Sequence, residues 1–349
     1  MALSSRLRFG GALAGIALGG FLAACGDSST HPSTSSSRTA PTPQTVPVSN
    51  GGSAAALQSA YVAAVHKILP SVVQIETSSG LGSGIVFDNK GDIVTNNHVV
   101  AGATTFTVTT STGKKYDGTL VGTFAPDDLA VIHVSNASLT PATFADSSKL
   151  EVGDIVMAVG NPLGLQSSVT AGIVSATGRT VSEDNGVVLP DTIQTSAEIN
   201  PGNSGGALVD LSASVVGIPT LAAVDQQLGG SAPGIGFAIP SNIVTAIASQ
   251  LVNTGHVTHS GRAYMGVRVA VADTNGALIA SVTPGSPAAN AGLQPGDTIT
   301  AVNGKAIASP DDLSQALAQL APGDRVQFSV TGQDGTRRTV SLTLAELPS

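Results

Sequence analysis

From about residue 70 onward, apolar residues come in short bursts separated by glycine, proline, asparagine and aspartate. The bursts at 84–87, 93–95, 104–110, 129–134, 155–159, 169–175, 192–195, 207–209 and 215–218 read as β-strands. No helical pattern separates them, which points to a barrel or sandwich and not to a parallel sheet with crossover helices. A helical pattern over 241–251 closes this region, with Ser241 as its expected N-cap, and a short helical stretch over 54–66 precedes it. Beyond Thr258 the pattern starts afresh. Strands are expected near 266–271 and 278–282, a helix over 310–320, and final strands around 325–330 and 338–344. The chain is therefore expected to be mainly β, with one domain over 54–258 and a smaller one over 259–347.

The first 53 residues follow different rules. Arg6 and Arg8 precede an apolar run from Phe9 to Ala24, roughly 16 residues where a spanning helix needs roughly 20. A charged start, an apolar middle and small residues at the end are the layout of a secretory signal. The run ends in Leu22-Ala23-Ala24-Cys25, which resembles a bacterial lipobox and implies cleavage before Cys25 and a lipid on its sulfur, making 1–25 the signal. An uncleaved signal anchor is the alternative; in both cases the folded part lies outside the cytoplasm. Residues 26–53 are mostly serine, threonine and proline with few apolar residues, and read as a disordered tether.

Composition narrows the function. Cys25 is the one cysteine, so no intramolecular disulfide can form, and no Cys/His cluster has metal-ligand spacing. Only 11% of residues are charged and the formal charge is −8. No basic stripe for nucleic acid is visible. No metal or cofactor is called for.

The chemistry centres on Gly202-Asn203-Ser204-Gly205-Gly206. A serine hydroxyl needs a base to take its proton during attack and N–H donors aimed at the oxyanion that forms. The oxyanion loop is placed at Gly202, Asn203 and Ser204, with the Gly202 and Ser204 N–H groups as donors by analogy with chymotrypsin-type enzymes. Of the six histidines, His98 follows an apolar strand, where a loop-borne side chain can face a cleft. His133 lies within a strand, His66 in the first helix, and His256 and His259 between the domains; these are expected to be structural. Asp127 and Asp128 open the strand at 129–134. Alternation along a strand sends adjacent side chains to opposite faces, so only one of the two reaches His98. The order His…Asp…Ser is that of chymotrypsin-like enzymes.

Several further segments carry a resemblance. Gly82-Ser83-Gly84, Thr95-Asn96-Asn97-His98-Val99-Val100, Asp128-Leu129-Ala130-Val131, Gly160-Asn161-Pro162-Leu163-Gly164 and the run 168–175 are similar to the HtrA family of trypsin-like serine proteases. So are 200–206 and Gly234-Ile235-Gly236-Phe237-Ala238-Ile239-Pro240. The resemblance implies Asp128 as the catalytic acid, beside His98 and Ser204, and two perpendicular β-barrels with the triad between them. It implies a small apolar pocket for aliphatic P1 residues, walled by Ile199, Ile218, Pro219, Thr220 and Leu221. Two segments depart from the family: Ser196-Ala197-Glu198-Ile199-Asn200 before the serine loop, and Gly217-Ile218-Pro219-Thr220. Pro219 has no N–H and is expected to disturb substrate pairing there.

Tyr264-Met265-Gly266-Val267 resembles the carboxylate-binding loop of bacterial PDZ domains, together with Ala291-Gly292-Leu293, Gly296-Asp297 and Asn303-Gly304. A PDZ domain adds an extended C-terminal peptide as a further strand. The whole implies an ATP-independent endopeptidase of unfolded or misfolded extracytoplasmic proteins, membrane-tethered and homotrimeric. The short loop between Ile75 and Gly84 argues against larger cages. The alternative is a PDZ-bearing chaperone or tethered stress sensor with little constitutive proteolysis.

Overall fold

A computed structural model describes residues 51–347, apart from 79, 162–167, 183–186, 201, 226–229 and 273–274. Cys25 and the expected signal and tether lie outside these residues, apart from the tether's last three positions.

Six strands close into a first barrel in the order β1-β2-β3-β6-β5-β4. They are β1 (Val72–Glu76), β2 (Leu81–Val86), β3 (Asp92–Asn96), β4 (Thr105–Thr109), β5 (Lys115–Phe124) and β6 (Leu129–Val134). A second set follows: β7 (Thr143–Phe144), β8 (Ile155–Gly160), β9 (Ser168–Ser182), β10 (Val188–Thr195), β11 (Ala207–Val209), β12 (Ser214–Asp225) and β13 (Gly230–Pro240). Its order is β11-β8-β9-β10-β13-β12-β7, and an extra β11–β12 pairing closes the ring, with β7 attached in parallel to β12. The expectation of two barrels is met.

Strand alternation explains how one chain fills three cores. Val73, Ile75, Val86, Ile93 and Ile132 point into the first barrel, and Val156, Ala158, Val174, Leu208 and Val216 cluster in the second. Their neighbours Val72, Ile85, Val94, Val131, Met157, Val159, Val209 and Val215 meet in a third cluster that both barrels share. Strands buried on both faces lack the polar alternation of a one-sided sheet, so they appear in the sequence as runs. Each such side chain contributes about 1.5–3 kcal/mol by leaving water.

Helix α1 (Gly51–Ile68) sets Ala64 and Ile68 into this shared core. The short helix α2 (Asn97–Val100) follows β3 directly. Helix α3 (Ser241–Thr254) buries Val244, Ile247, Ala248 and Leu251 on one face, at the spacing of an amphipathic helix. Ser241 does not cap it: Pro240 occupies the N-cap position, and the Ser241 hydroxyl donates instead to the Ala145 carbonyl at 2.6 Å. The helix ends at Gly255 in the left-handed region (φ 74°), as a C-terminal glycine commonly does. Gly122 of β5 lets it approach, since a Cβ there would lie 2.5 Å from the Gly255 carbonyl. Among the described residues no helix is long and apolar enough to cross a membrane.

The smaller sheet comprises β15 (Val267–Val271), β16 (Ala277–Val282), β17 (Thr298–Val302), β19 (Arg325–Thr331) and β20 (Arg337–Thr343), in the order β15-β16-β17-β19-β20. The short strand β18 (Lys305–Ala306) pairs with β17. Strands β14 (Ala263–Tyr264) and β21 (Ala345–Glu346) pair with each other. Phe328, Ile299, Leu313 and Leu342 lie in its core. Helices α4 (Pro287–Asn290) and α5 (Pro310–Ala318) each start with a serine cap and a first-turn proline: the Ser286 hydroxyl accepts from Ala289 N–H, and that of Ser309 from Asp312 N–H, a combination well suited to a helix start.

Candidate active site

His98 sits on α2, not in an open loop. Its Nδ1 lies 2.8 Å from Asp128 Oδ2, and its backbone N–H donates to Asp128 Oδ1 at 2.9 Å. The histidine side chain is 40% exposed and the carboxylate 3%, so the imidazole has a solvent side while the acid does not. The Thr220 hydroxyl donates to Asp128 Oδ2 at 2.6 Å. Sequence reasoning placed Thr220 in the pocket wall and missed this contact.

Asp128 does not stand at the start of a strand, as expected. A 3₁₀ turn over Ala125–Asp127 precedes it, and Asp128 takes left-handed angles of φ 50° and ψ 42°. That conformation costs a non-glycine residue about 1–2 kcal/mol. Three bonds hold it: Asn96 Nδ2 and Asn97 N–H both donate to the Asp128 carbonyl at 3.0 Å, and Asp128 N–H donates to Ala125 O at 3.0 Å.

Asp127 turns elsewhere, toward the linker into the smaller sheet. Arg262 Nη1 donates to its Oδ1 at 2.5 Å and to the Pro126 carbonyl at 3.1 Å, and Nη2 donates to Val188 O at 2.8 Å. Burial pushes the Asp127 carboxyl above its ordinary pKa, while the Arg262 charge opposes that rise. The adjacent carboxylates thus have separate partners, but the turn separates them, not strand alternation.

The serine loop is pressed against the strand leading to His98. A Cβ on Gly205 would lie 2.3 Å from both Ser83 O and Thr95 Oγ1, and Gly205 has φ 77°; only glycine fits both demands. Ser204 is half-buried, and its carbonyl accepts from Ser83 N–H at 3.0 Å. The Ser204 hydroxyl has no hydrogen-bond partner among the described residues. The His98–Asp128 link is therefore made, and the link from serine to histidine is not.

Asn203 is bonded within its own loop. Its N–H donates to Asn200 O at 3.1 Å, its Oδ1 accepts from Asn200 N–H at 3.2 Å, and its Nδ2 donates to Glu198 O at 3.1 Å. It braces the loop from within. The N–H groups of Gly202 and Ser204 have no acceptor among the described residues.

Ile199, Ile218, Pro219 and Thr220 of the expected pocket wall are among the described residues. Ile218 is fully buried in the core shared by the barrels, and Ile199 lies in the second barrel's core. Of the two, Ile199 stands beside Gly236, where a Cβ would lie 2.3 Å from Ile199 Cγ1. The side chain of Leu221 is outside the described residues. The Pro219 carbonyl accepts from Gly205 N–H at 3.2 Å, and N and O of one strand residue face the same side. The missing N–H thus faces the serine loop and not β13, and the β12–β11 pairing has already ended at Gly217.

His133 pairs with Asp92 at 2.9 Å, tying β6 to β3; His66 lies on α1, and His256 and His259 follow α3.

In the smaller sheet, the Met265 carbonyl accepts from Ala288 N–H and the Gly266 carbonyl from Thr283 N–H, each at 2.9 Å. Planar peptides then send the Gly266 and Val267 N–H groups the opposite way. Gly266 has φ 85°, and a Cβ on it would meet Ser286 Cβ at 2.1 Å. Tyr264 pairs with Ala345, and Val267 opens the edge strand β15.

Comparison with known proteins matches residues 82–218 to the trypsin-like peptidase domain and 263–344 to the PDZ domain. The first span contains His98, Asp128 and Ser204. The chain is 42% identical over 303 residues to serine protease PepD of Mycobacterium tuberculosis, covering 80% of this chain and 65% of that protein. It is also 42% identical over 276 residues to periplasmic serine endoprotease DegP of Escherichia coli, covering 76% of this chain and 57% of that one. The chain thus spans less than two thirds of these relatives' length. Among solved structures, the HtrA-type protease AlgW with a tripeptide is 33% identical with a TM-score of 0.59, covering 83% of this chain and 98% of that one. The serine endoprotease of Yersinia pestis is 33% identical with a TM-score of 0.57, covering 82% and 98%.

Proposed function

Because the chain belongs to the HtrA-type trypsin-like serine proteases with one PDZ domain, we propose that it is a serine endopeptidase of unfolded extracytoplasmic polypeptides. The observation that carries this reading is the 2.8 Å bond from His98 to a buried Asp128 that Thr220 also holds.

Asp128 keeps the proton of the imidazole on Nδ1 and stabilises the imidazolium. His98 takes the Ser204 proton through Nε2 as the oxygen attacks the scissile carbonyl. The oxyanion is received by the Gly202 and Ser204 N–H groups. His98 then protonates the leaving amine, and a water activated by the same imidazole hydrolyses the acyl-enzyme. Before substrate arrives the Ser204 hydroxyl makes no bond to the base, a looseness common in unliganded sites. Ile199 against Gly236 keeps the P1 pocket shallow, which favours small aliphatic residues.

The PDZ domain captures a C-terminal peptide as an added strand along β15, its carboxylate on the Gly266 and Val267 N–H groups. The signal and Cys25 anchor the chain by lipid outside the cytoplasm, residues 26–53 tether it, and folded domains run over 54–258 and 259–347. The periplasmic relative supports the location. The assembly is a homotrimer.

A fluorophosphonate probe tests the chemistry. It labels the wild type and not Ser204→Ala, and an unfolded casein is cut only by the wild type, faster when a PDZ-binding peptide is present. Equal casein cleavage by Ser204→Ala overturns the proposal.

A further inference from the structure

The Ser83 side chain lies on β2, fully buried, and its polar groups converge on the serine loop. Its hydroxyl donates to the Gly202 carbonyl at 2.6 Å and accepts from Asn161 N–H at 2.9 Å. Its backbone N–H donates to the Ser204 carbonyl at 3.0 Å. Its own carbonyl accepts from the Thr95 hydroxyl at 2.6 Å.

These bonds fix peptide planes in alternation. In a trans peptide the carbonyl and the following N–H point in opposite directions. Ser83 holds the Gly202 carbonyl, so Asn203 N–H turns the other way, to Asn200 O at 3.1 Å. Ser83 also holds the Ser204 carbonyl, and Gly205 N–H turns to Pro219 O at 3.2 Å. The peptide between them has its Asn203 carbonyl held by Gly206 N–H at 2.9 Å, which sends Ser204 N–H in the opposite direction. Gly202 itself sits at φ 111°, where glycine moves freely and nothing intrinsic holds it. Packing leaves no slack on the far side, since a Cβ on Gly160 would lie 2.7 Å from Gly202 O and 2.6 Å from Asn203 Cα.

From this we infer that Ser83 is a positioning residue for the oxyanion donors. Its hydroxyl locks the Gly202–Asn203 peptide, and through Asn161 it ties the serine loop to the end of β8. Without the hydroxyl, the Gly202–Asn203 peptide turns about Gly202, which shifts the following peptide so that the Ser204 N–H no longer meets the developing charge. The inference rests on the reading of Ser204 as nucleophile.

The test uses Ser83→Ala in the full chain, which removes the hydroxyl and keeps the backbone donor. Turnover is measured on a peptide anilide with valine at P1. Binding is measured for the matching peptide boronic acid, whose tetrahedral adduct needs the oxyanion donors, and for the product peptide. A misaimed donor costs about 10- to 100-fold. The expected result is a kcat loss of that size with KM within about twofold, a parallel loss of boronate affinity and unchanged product affinity. A merely structural role would lower the melting temperature without separating boronate from product. A folded Ser83→Ala with wild-type kcat, or with equal losses for both ligands, overturns the inference. Should this variant show no cooperative melting, Ser83→Gly takes its place, which also removes the hydroxyl and adds no volume; wild-type kcat there also overturns it. Ser204→Ala runs in parallel: if it turns over normally the nucleophile reading falls, whereas an inactive Ser204→Ala beside a normal Ser83→Ala removes only the role of Ser83.

Discussion

Replacing Arg262 by methionine would strand a carboxylate inside the protein. Asp127 is 4% exposed and Arg262 17%, so little water is at hand to replace the guanidinium. Asp127 Oδ2 already has no hydrogen-bond partner among the described residues, leaving Arg262 as the main compensation for the buried charge. Removing one partner of a buried ion pair costs about 3–5 kcal/mol, because the other remains charged and unpaired. Methionine retains part of the arginine stem's packing, so most of the loss would be electrostatic. Replacing both partners, as Asp127→Asn with Arg262→Met, would return most of the stability.

The pH dependence has a definite sign. Burial already raises the Asp127 pKa above the ordinary carboxylate value, and the Arg262 charge limits that rise. A carboxyl with a raised folded-state pKa holds more protons folded than unfolded between the two values, so stability falls as pH climbs through that window. In Arg262→Met the window widens upward. The deficit relative to wild type should be largest near pH 7 and shrink as pH falls toward the unfolded value. Urea unfolding followed by circular dichroism at pH 7 and pH 5 measures both effects. A deficit at pH 7 below about 1 kcal/mol, the range of an exposed pair, or one that does not change between the two pH values, would refute the reasoning.

Thr220→Val keeps the shape of the side chain but removes the donor to Asp128. A hydrogen bond to a charged group is worth about 1.5–3 kcal/mol, so kcat/KM on a peptide anilide should fall about 10- to 100-fold with Ser204 still in place; a fall under threefold would show that Thr220 does not help hold the acid. Ile199→Ala should open space beside Gly236 and shift P1 preference from valine toward leucine or phenylalanine. A peptide library with varied P1 reads this, and an unchanged profile would show that Ile199 does not bound the pocket.

The residues of the proposed triad stood out in the sequence by their chemical type. His98, Asp128 and Ser204 stand in an order that few arrangements share, and Gly205 could not be another residue. Strands with buried apolar runs, such as β6 and β11, were legible for the same kind of reason. β5 was not: most of its positions are exposed or half-buried, and a register shift between Leu120 and Gly122 breaks its alternation. The supporting hydroxyls were hidden more deeply. Ser83 and Thr220 are common residue types, and their partners lie 119 and 92 positions away in the chain. No local pattern encodes such a pairing, since it exists only once two barrels have closed and met. Asn203 was hidden for a related reason: its bonds to Asn200 and Glu198 form only once the loop has turned back on itself. A substitution at Ser83 or Thr220 should therefore lower activity while leaving His98, Asp128 and Ser204 in place, because the proposed catalytic residues are held by contacts that run between strands and loops of both barrels.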